Sequence, residues 1–149
     1  MSKARELQAQ VDSKLPVPTE ADWGDYRADL DQASAHDHFA GRTNEEMLPH
    51  FSENVIERTG ELRWMPTVPF RYYMIGFRDF VMARVFKYDD GSDAASCFLN
   101  LVVEKLEAQP DHVLPIMPEL LPAVRYVAEN QALFEADEGI YGSFRWKLE

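Results

Sequence analysis

Acidic and histidine side chains at helical spacing are the residues of this sequence best suited to metal-dependent chemistry. Glu46, His50 and Glu53 follow one another at spacings of four and three, which places them on one face of a helix. Such ligands form metal sites in helical bundles when matching ligands come from other helices. A metal-dependent hydrolase that uses Glu46 and His50 is therefore one functional hypothesis.

The other histidines do not complete such a site. His36 and His38 are two residues apart, so on a helix they point to different faces and cannot share one ion without distortion. Pro49 disturbs the helix beside His50, and His112 lies far along the chain. The sequence therefore assigns no catalytic, cofactor-binding or metal-binding residue, and we expect no metal or other cofactor.

Signatures of the common enzyme classes are missing from the sequence. It contains no phosphate-binding loop, dinucleotide-binding fingerprint or nucleophile elbow. Asp89, Asp90 and Asp93 share one loop, but their spacing does not match that of a calcium loop. Cys97, the only cysteine, lies in an apolar run and is expected to be a buried thiol. A non-enzymatic protein is favoured on these grounds.

The charge distribution restricts the kinds of partner. The 149 residues carry a net charge of −11, which argues against direct binding to nucleic acid. Residues 19–57 hold ten acids and two cations, whereas residues 58–87 hold six cations and two acids. A basic centre beside acidic segments predicts charge pairing within the fold first and a basic partner second.

Three functional hypotheses follow from these patterns. The first is a binding or regulatory protein, resembling immunity proteins in its acidity, with a basic protein partner that contacts Asp29 and Asp31 or Asp137 and Glu138. The second is the hydrolase of Glu46 and His50, and the third is a homo-oligomeric structural protein. No segment approaches the roughly 20 apolar residues of a membrane span, and the polar N-terminus does not resemble a signal peptide, so a cytoplasmic location is expected.

Hydrophobic periodicity predicts an all-α fold of five or six helices with proline-rich connectors. The strongest signal covers residues 70–86, where apolar residues recur at spacings of three and four, which predicts a central helix. Thr19 and Thr43 each precede an acid by three residues and predict helix starts, for helices over residues 19–39 and 43–60. The residues predicted to face the core include Trp23, Tyr26, Leu30, Ala33, Phe51, Val55 and Ile56.

The second half of the chain is divided by prolines. A helix is predicted over residues 94–108, with Phe98, Leu101, Val102 and Leu106 facing the core. An extended connector containing Pro110 and Pro115 should follow, and then a helix that ends at Gly139. The alternating tail, residues 144–148, fits a short strand or a helical turn equally well.

The run Phe70-Arg71-Tyr72-Tyr73 has two interpretations. Tyrosine and arginine are favoured at protein-binding hot spots, but they also occur in buried helices whose polar ends reach water or partners. Helical periodicity favours the buried helix. In this run the chain resembles a group of small bacterial proteins without an assigned activity. The resemblance spans residues 25–135 and implies a helical fold without implying any site residues.

The first 18 residues are predicted to form a mobile arm, and residues 19–149 a single helical domain. The arm is polar, and Pro16 and Pro18 separate it from the domain. We therefore expect deletion of residues 1–15 to leave the midpoint of urea unfolding nearly unchanged. A truncated protein that unfolds or aggregates would show instead that the arm contributes to the core or covers an interface.

Overall fold

The computed structural model describes residues 15–84, 86 and 91–147. These residues form helices and turns without a strand, which confirms the all-α prediction. The helices of nine or more residues are α1 (Leu30–Phe39), α2 (Asn44–Glu53), α3 (Val55–Arg63), α4 (Thr67–Ala83), α5 (Gly91–Ala108) and α6 (Met117–Glu129). Shorter helical turns connect them and follow them, at Glu20–Trp23, Tyr26–Ala28, Pro110–Val113, Leu114–Ile116, Gln131–Phe134, Glu138–Tyr141 and Phe144–Lys147.

Helix α4 is the centre of the fold, as its periodicity predicts. It packs against α2, α3, α5 and α6, and an unbroken run from Tyr72 to Phe77 is buried. The ring of Phe77 stacks on Phe51 of α2 with the centroids 5.0 Å apart. Its edge meets Phe98 of α5 at 5.7 Å. Aromatic packing thus joins three helices at Phe77.

The polar side chains of α4 bond to main-chain atoms of the segments around it. The buried Tyr73 hydroxyl lies 2.6 Å from the carbonyl oxygen of Phe39 and 2.7 Å from that of Arg42, so it can donate to either. Arg71 donates to the carbonyls of Asp111 and His112. These contacts, together with the burial of both tyrosines, support the buried-helix interpretation of the Phe70–Tyr73 run.

Asn44, the first residue of α2, fixes that helix on α4. Its side-chain amide donates to the carbonyl of Tyr72 at 2.9 Å, and its main-chain N–H donates to the Tyr72 hydroxyl at 3.1 Å. The side chain occupies the space above Gly76, where an added Cβ would lie 2.2 Å from the amide oxygen. Glycine at position 76 therefore permits the close approach of the two helices.

The single helix predicted over residues 19–39 is wrong. The capping box of Thr19 and Asp22 does form, but it starts only a short 3₁₀ turn, which Gly24 ends with a φ of 61°. A second 3₁₀ turn follows, and the Asp29 carboxylate then caps α1. This break changes the helical phase, so Leu30 is 89% exposed instead of facing the core.

The helix predicted over residues 43–60 is two helices. The capping box of Thr43 starts α2 as predicted, and α2 continues through Pro49. The chain breaks instead at Asn54, whose side chain caps α3. Helix α3 runs past Gly60 to Arg63, and Ile56, predicted to face the core, is 61% exposed.

Helical turns replace the extended connector predicted around Pro110 and Pro115. Each proline lies in the first turn of a short helical segment, where its missing N–H costs no hydrogen bond. The next helix, α6, ends at Glu129 and not at Gly139. Leu106 is exposed, whereas Phe98, Leu101 and Val102 are buried as predicted.

The two ends of the chain have different outcomes. The tail forms a helical turn over Phe144–Lys147, with Phe144 buried, so the strand alternative is wrong there. Of the predicted arm, residues 1–14 lie outside the described residues. Leu15 and Val17 are partly buried against the core, so the deletion test is sharper when it stops at residue 14.

The position of Phe77 yields a stability prediction. Phe77→Ala should lower the free energy of unfolding by about 3–5 kcal/mol, because it leaves a cavity where three helices meet. The control is Met82→Ala on the exposed side of the same helix, with an expected loss within about 1 kcal/mol. Urea unfolding measures both, and equal losses would contradict the central position of α4.

Candidate functional site

The structure does not bring Glu46, His50 and Glu53 together as a site. The Glu46 carboxylate accepts a hydrogen bond from the main-chain N–H of Thr43 at 2.9 Å, which lowers the pKa of Glu46. The imidazole Nε2 of His50 lies 2.8 Å from Nη1 of Arg42. Glu46 thus caps α2, and His50 pairs with the loop before it.

A different group of polar residues converges where α1 packs on α3. The Glu61 carboxylate of α3 is buried, and its Oε2 accepts a hydrogen bond from the Ser34 hydroxyl at 2.9 Å. Nδ1 of His38 contacts the same oxygen. Because His36 bonds instead to Glu20 at 2.8 Å, the two histidines of α1 do point to different faces.

Arg58 balances the buried charge of this group. Its Nη2 lies 2.7 Å from Oε1 of Glu57, and its Nε lies 2.9 Å from Oε1 of Glu61. The Nε pair is close enough for an ion pair but lacks the alignment of a hydrogen bond. A buried ion pair of this kind costs several kcal/mol when one partner is removed, so Arg58 and Glu61 stabilise the fold together.

His38, Glu57 and Glu61 offer the ligand atoms of a candidate cation site, all within 4.8 Å of one another. The guanidinium of Arg58 already contacts both carboxylates, so a metal ion would have to displace it. The three residues fit a metal poorly for that reason. The sequence did not predict this group, because His38 lies on α1 and the two acids lie on α3. No helical spacing in the sequence connects residues of two different helices.

An open groove lies directly above this polar group. It encloses about 210 Å³ and is lined by residues of α1 and α3, namely Asp31, Ser34, Glu57, Gly60, Glu61 and Trp64. We call it the acidic groove. Three of these residues are carboxylates; Arg58 pairs with two of them, and His38 contacts one of the same two. Trp64 is 50% exposed, and the exposed Leu30 and Ile56 adjoin lining residues in the chain.

Part of the basic centre of the sequence is neutralised within the fold. Arg63 pairs with Glu104 at 2.7 Å, and Arg78 pairs with Asp79 at 2.8 Å. Arg71 and Arg78 also donate to main-chain carbonyls. The exposed Arg84 ends α4, and Lys87 lies outside the described residues. Charge pairing within the fold, the first of the two charge predictions, is thus seen for Arg58, Arg63 and Arg78, whereas Arg71 bonds to main-chain oxygens.

Two of the four acids proposed as partner contacts also have a structural role. Asp29 accepts hydrogen bonds from the N–H groups of Asp31 and Gln32 and thereby caps α1. Asp137 caps the turn Glu138–Tyr141 in the same way. Substitution of either residue therefore changes helix stability as well as charge, whereas Asp31 and Glu138 change mainly the charge.

The Cys97 thiol is partly buried on α5. Burial is the main cause that raises its pKa above the ordinary value, and an opposing hydrogen bond to Thr59 is weaker. A raised pKa keeps the thiol protonated at neutral pH, which disfavours nucleophilic chemistry.

Comparison with known proteins adds no relative. No family model matches the sequence, and neither the curated proteins nor the solved structures include a significant match. The resemblance in the Phe70–Tyr73 run stays a prediction. Within the described residues, no helix is both long enough and apolar enough to cross a membrane.

The two candidate metal sets can be separated by experiment. We expect purified protein to contain no stoichiometric zinc, iron or manganese, because Arg58 occupies the position next to Glu57 and Glu61. Metal analysis by mass spectrometry checks this. One ion per chain that is lost on His38→Ala would establish the site on α1 and α3, and loss on His50→Ala would restore the hydrolase hypothesis.

Proposed function

We propose that this chain is a non-enzymatic binding protein that recognises a basic protein partner through the acidic groove between α1 and α3. The observation that supports the proposal is that the central arginines have bonding partners in the fold, whereas many of the acids are exposed. Four central arginines are used inside the fold, whereas acids of residues 19–57 are exposed on the surface. The proposal rests on charge and geometry, and it includes a regulatory role of the kind found in immunity proteins.

The acidic groove combines the features that bind a basic side chain. Asp31 and Glu57 supply exposed carboxylates on opposite helices, and both line the same groove. Trp64 lies at its edge, and an indole ring attracts a lysine or arginine head group by a cation–π interaction. An arginine of the partner would therefore meet carboxylates and an aromatic face together, which is the composition of many binding hot spots.

Exposed apolar residues next in the chain to lining residues could add contact area for the partner. Leu30 adjoins Asp31 in the chain and is 89% exposed, and Ile56 adjoins Glu57. Interfaces commonly surround a few apolar contacts with a polar rim. The apolar residues supply affinity, while the excess of acids directs a basic partner toward this side and raises the association rate.

The proposal predicts salt-dependent binding. A pull-down at low salt should retain a basic protein, whose association rate should fall as salt rises because exposed charges are screened beyond about 8 Å at physiological ionic strength. Asp31→Asn combined with Glu57→Gln should slow association roughly tenfold, since two attracting charges are removed. Surface plasmon resonance at several salt concentrations measures both effects.

The matched control removes two acids elsewhere on the surface. Glu129→Gln combined with Glu138→Gln changes the net charge equally, at the end of α6 and at the start of the turn Glu138–Tyr141. Association of this variant should stay within about twofold of the original rate, because steering is mainly local under screening. A larger effect here than at the groove would move the contact to the Asp137–Glu138 side. Binding without any salt dependence would contradict the proposal.

A further inference from the structure

Lys105 of α5 is a buried cation that the acidic groove does not use. The residue is 2% exposed, although its ammonium group is among the most expensive groups to remove from water. Its Nζ donates to the carbonyl oxygen of Arg63 at 2.7 Å and to the side-chain oxygen of Gln109 at 2.6 Å. It also lies 5.0 Å from the ring centroid of Phe70.

These partners of Lys105 carry no negative charge. The adjacent acid, Glu104, pairs with Arg63, and none of the described carboxylates contacts the ammonium. Burial lowers the pKa of Lys105, and the charge of Glu104 opposes that change. A buried cation held only by neutral groups and an aromatic ring lacks the anion that would best compensate it.

Lys105 lines a cleft large enough for a small molecule. The cleft encloses about 570 Å³ and lies where the end of α3, the start of α4 and the end of α5 meet. Trp64, Met65, Pro66 and Ala108 give it apolar walls. A cavity of this size can hold a small molecule. Seven of its eleven lining residues are polar or charged, so the cleft suits a ligand with a polar group as well as an apolar part.

His112 lines the same cleft and extends its set of polar groups. Its Nε2 lies 3.2 Å from the Thr67 hydroxyl, and its Nδ1 is buried without a hydrogen-bond partner among the described residues. Burial lowers the pKa of His112, and the nearby charges of Lys105 and Arg71 lower it further. The imidazole is therefore neutral at pH 7. It can donate one hydrogen bond to a ligand, but it adds no second positive charge to the cleft.

Gln109 occupies part of the space around the ammonium group with its side chain. It is an exposed residue directly after α5, and its amide oxygen occupies one hydrogen-bonding position of Lys105. A carboxylate is a stronger acceptor for an ammonium group than an amide, because the hydrogen bond then joins opposite charges. An anion that enters the cleft can take the place of this amide while the Gln109 side chain turns outward.

We propose that this cleft binds a small organic carboxylate, with its apolar part against Trp64 and its carboxylate on Lys105 in place of the Gln109 amide. A single negative charge fits better than a phosphate dianion. Among the described residues that line the cleft, Lys105 is the one cation without an acid in contact, because Arg63 is held by Glu104. The Glu104 carboxylate lines the same cleft. This ligand site shares Trp64 with the acidic groove but takes an anion, and it does not depend on the proposed binding of a basic protein.

The test uses the full chain and two probe acids of different size. Benzoate and indole-3-acetate are titrated by calorimetry and by thermal shift, each against its neutral amide of the same shape. At least one acid should bind and raise the melting temperature, and its amide should bind about tenfold more weakly or worse, because the charge-assisted contact is absent. If neither acid binds at millimolar concentration, or acid and amide bind equally, the proposal is overturned.

Two substitutions at one position give opposite expectations. Gln109→Glu supplies a carboxylate from the chain itself, so it should weaken binding of the probe acid about tenfold or more while the protein stays folded. Gln109→Ala removes the competing amide and should tighten binding. If both variants bind the acid as the original protein does, the carboxylate is not on Lys105 and the proposal fails.

A cation elsewhere provides the matched control. Arg125→Met removes an exposed charge on α6 and should leave binding of the acid unchanged, whereas Lys105→Met should abolish it. Should Lys105→Met fail to fold, the pair of Gln109 variants still decides the question. A loss of binding in Arg125→Met equal to that in Gln109→Glu would show non-specific charge attraction and overturn the proposal.

Discussion

The architecture depends on the requirement that buried main-chain groups find hydrogen-bond partners, and α4 meets much of that requirement. Tyr73 bonds at the end of α1, Tyr72 bonds at the start of α2, and Arg71 bonds to the carbonyls of the turn Pro110–Val113. Each unpaired buried group would cost about 1–3 kcal/mol. The turns next to α4 are therefore bonded to it, and the surrounding helices are fixed by polar contacts at their ends as well as by packing.

This use of α4 also determines the surface charge. Arg71 and Arg78 are directed to main-chain oxygens, and Arg58 and Arg63 pair with acids of the fold. These cations are consequently unable to neutralise the acids of α1 and the turns before it. Asp31 and Glu57 of the acidic groove are among the exposed acids, although Glu57 also pairs with Arg58.

Sequence periodicity predicted α4 well because its apolar pattern is long and is not interrupted by a change of phase. It failed at Leu30 and Ile56, which follow breaks at Gly24 and Asn54. Capping by Asp29 and Asn54 restarts a helix in a new phase, and the periodic pattern does not show where this occurs. At the candidate site, the prediction that His36 and His38 point to different faces of a helix is confirmed. The contact of His38 with Glu61 was not predictable, because it depends on how α1 packs against α3, and no local sequence pattern encodes that packing.

The acidic groove and the cleft of Lys105 both adjoin helix α3, and the way this helix is held in the fold explains why. Only Val55 and Leu62 are buried among its aliphatic side chains, whereas Arg58, Thr59 and Glu61 are buried polar residues. Apolar packing alone would hold such a helix weakly. Its polar face is held by the ion pair between Arg58 and Glu61, and its last carbonyl, that of Arg63, is held by Lys105.

A cation at a helix C-terminus, such as Lys105 at the end of α3, also interacts favourably with the helix dipole. Polar groups therefore hold α3 from both sides. The exposed carboxylates of Asp31 and Glu57 lie toward α1, and the ammonium group of Lys105 lies toward α5. Trp64, at the end of α3, lines both the acidic groove and the cleft of Lys105.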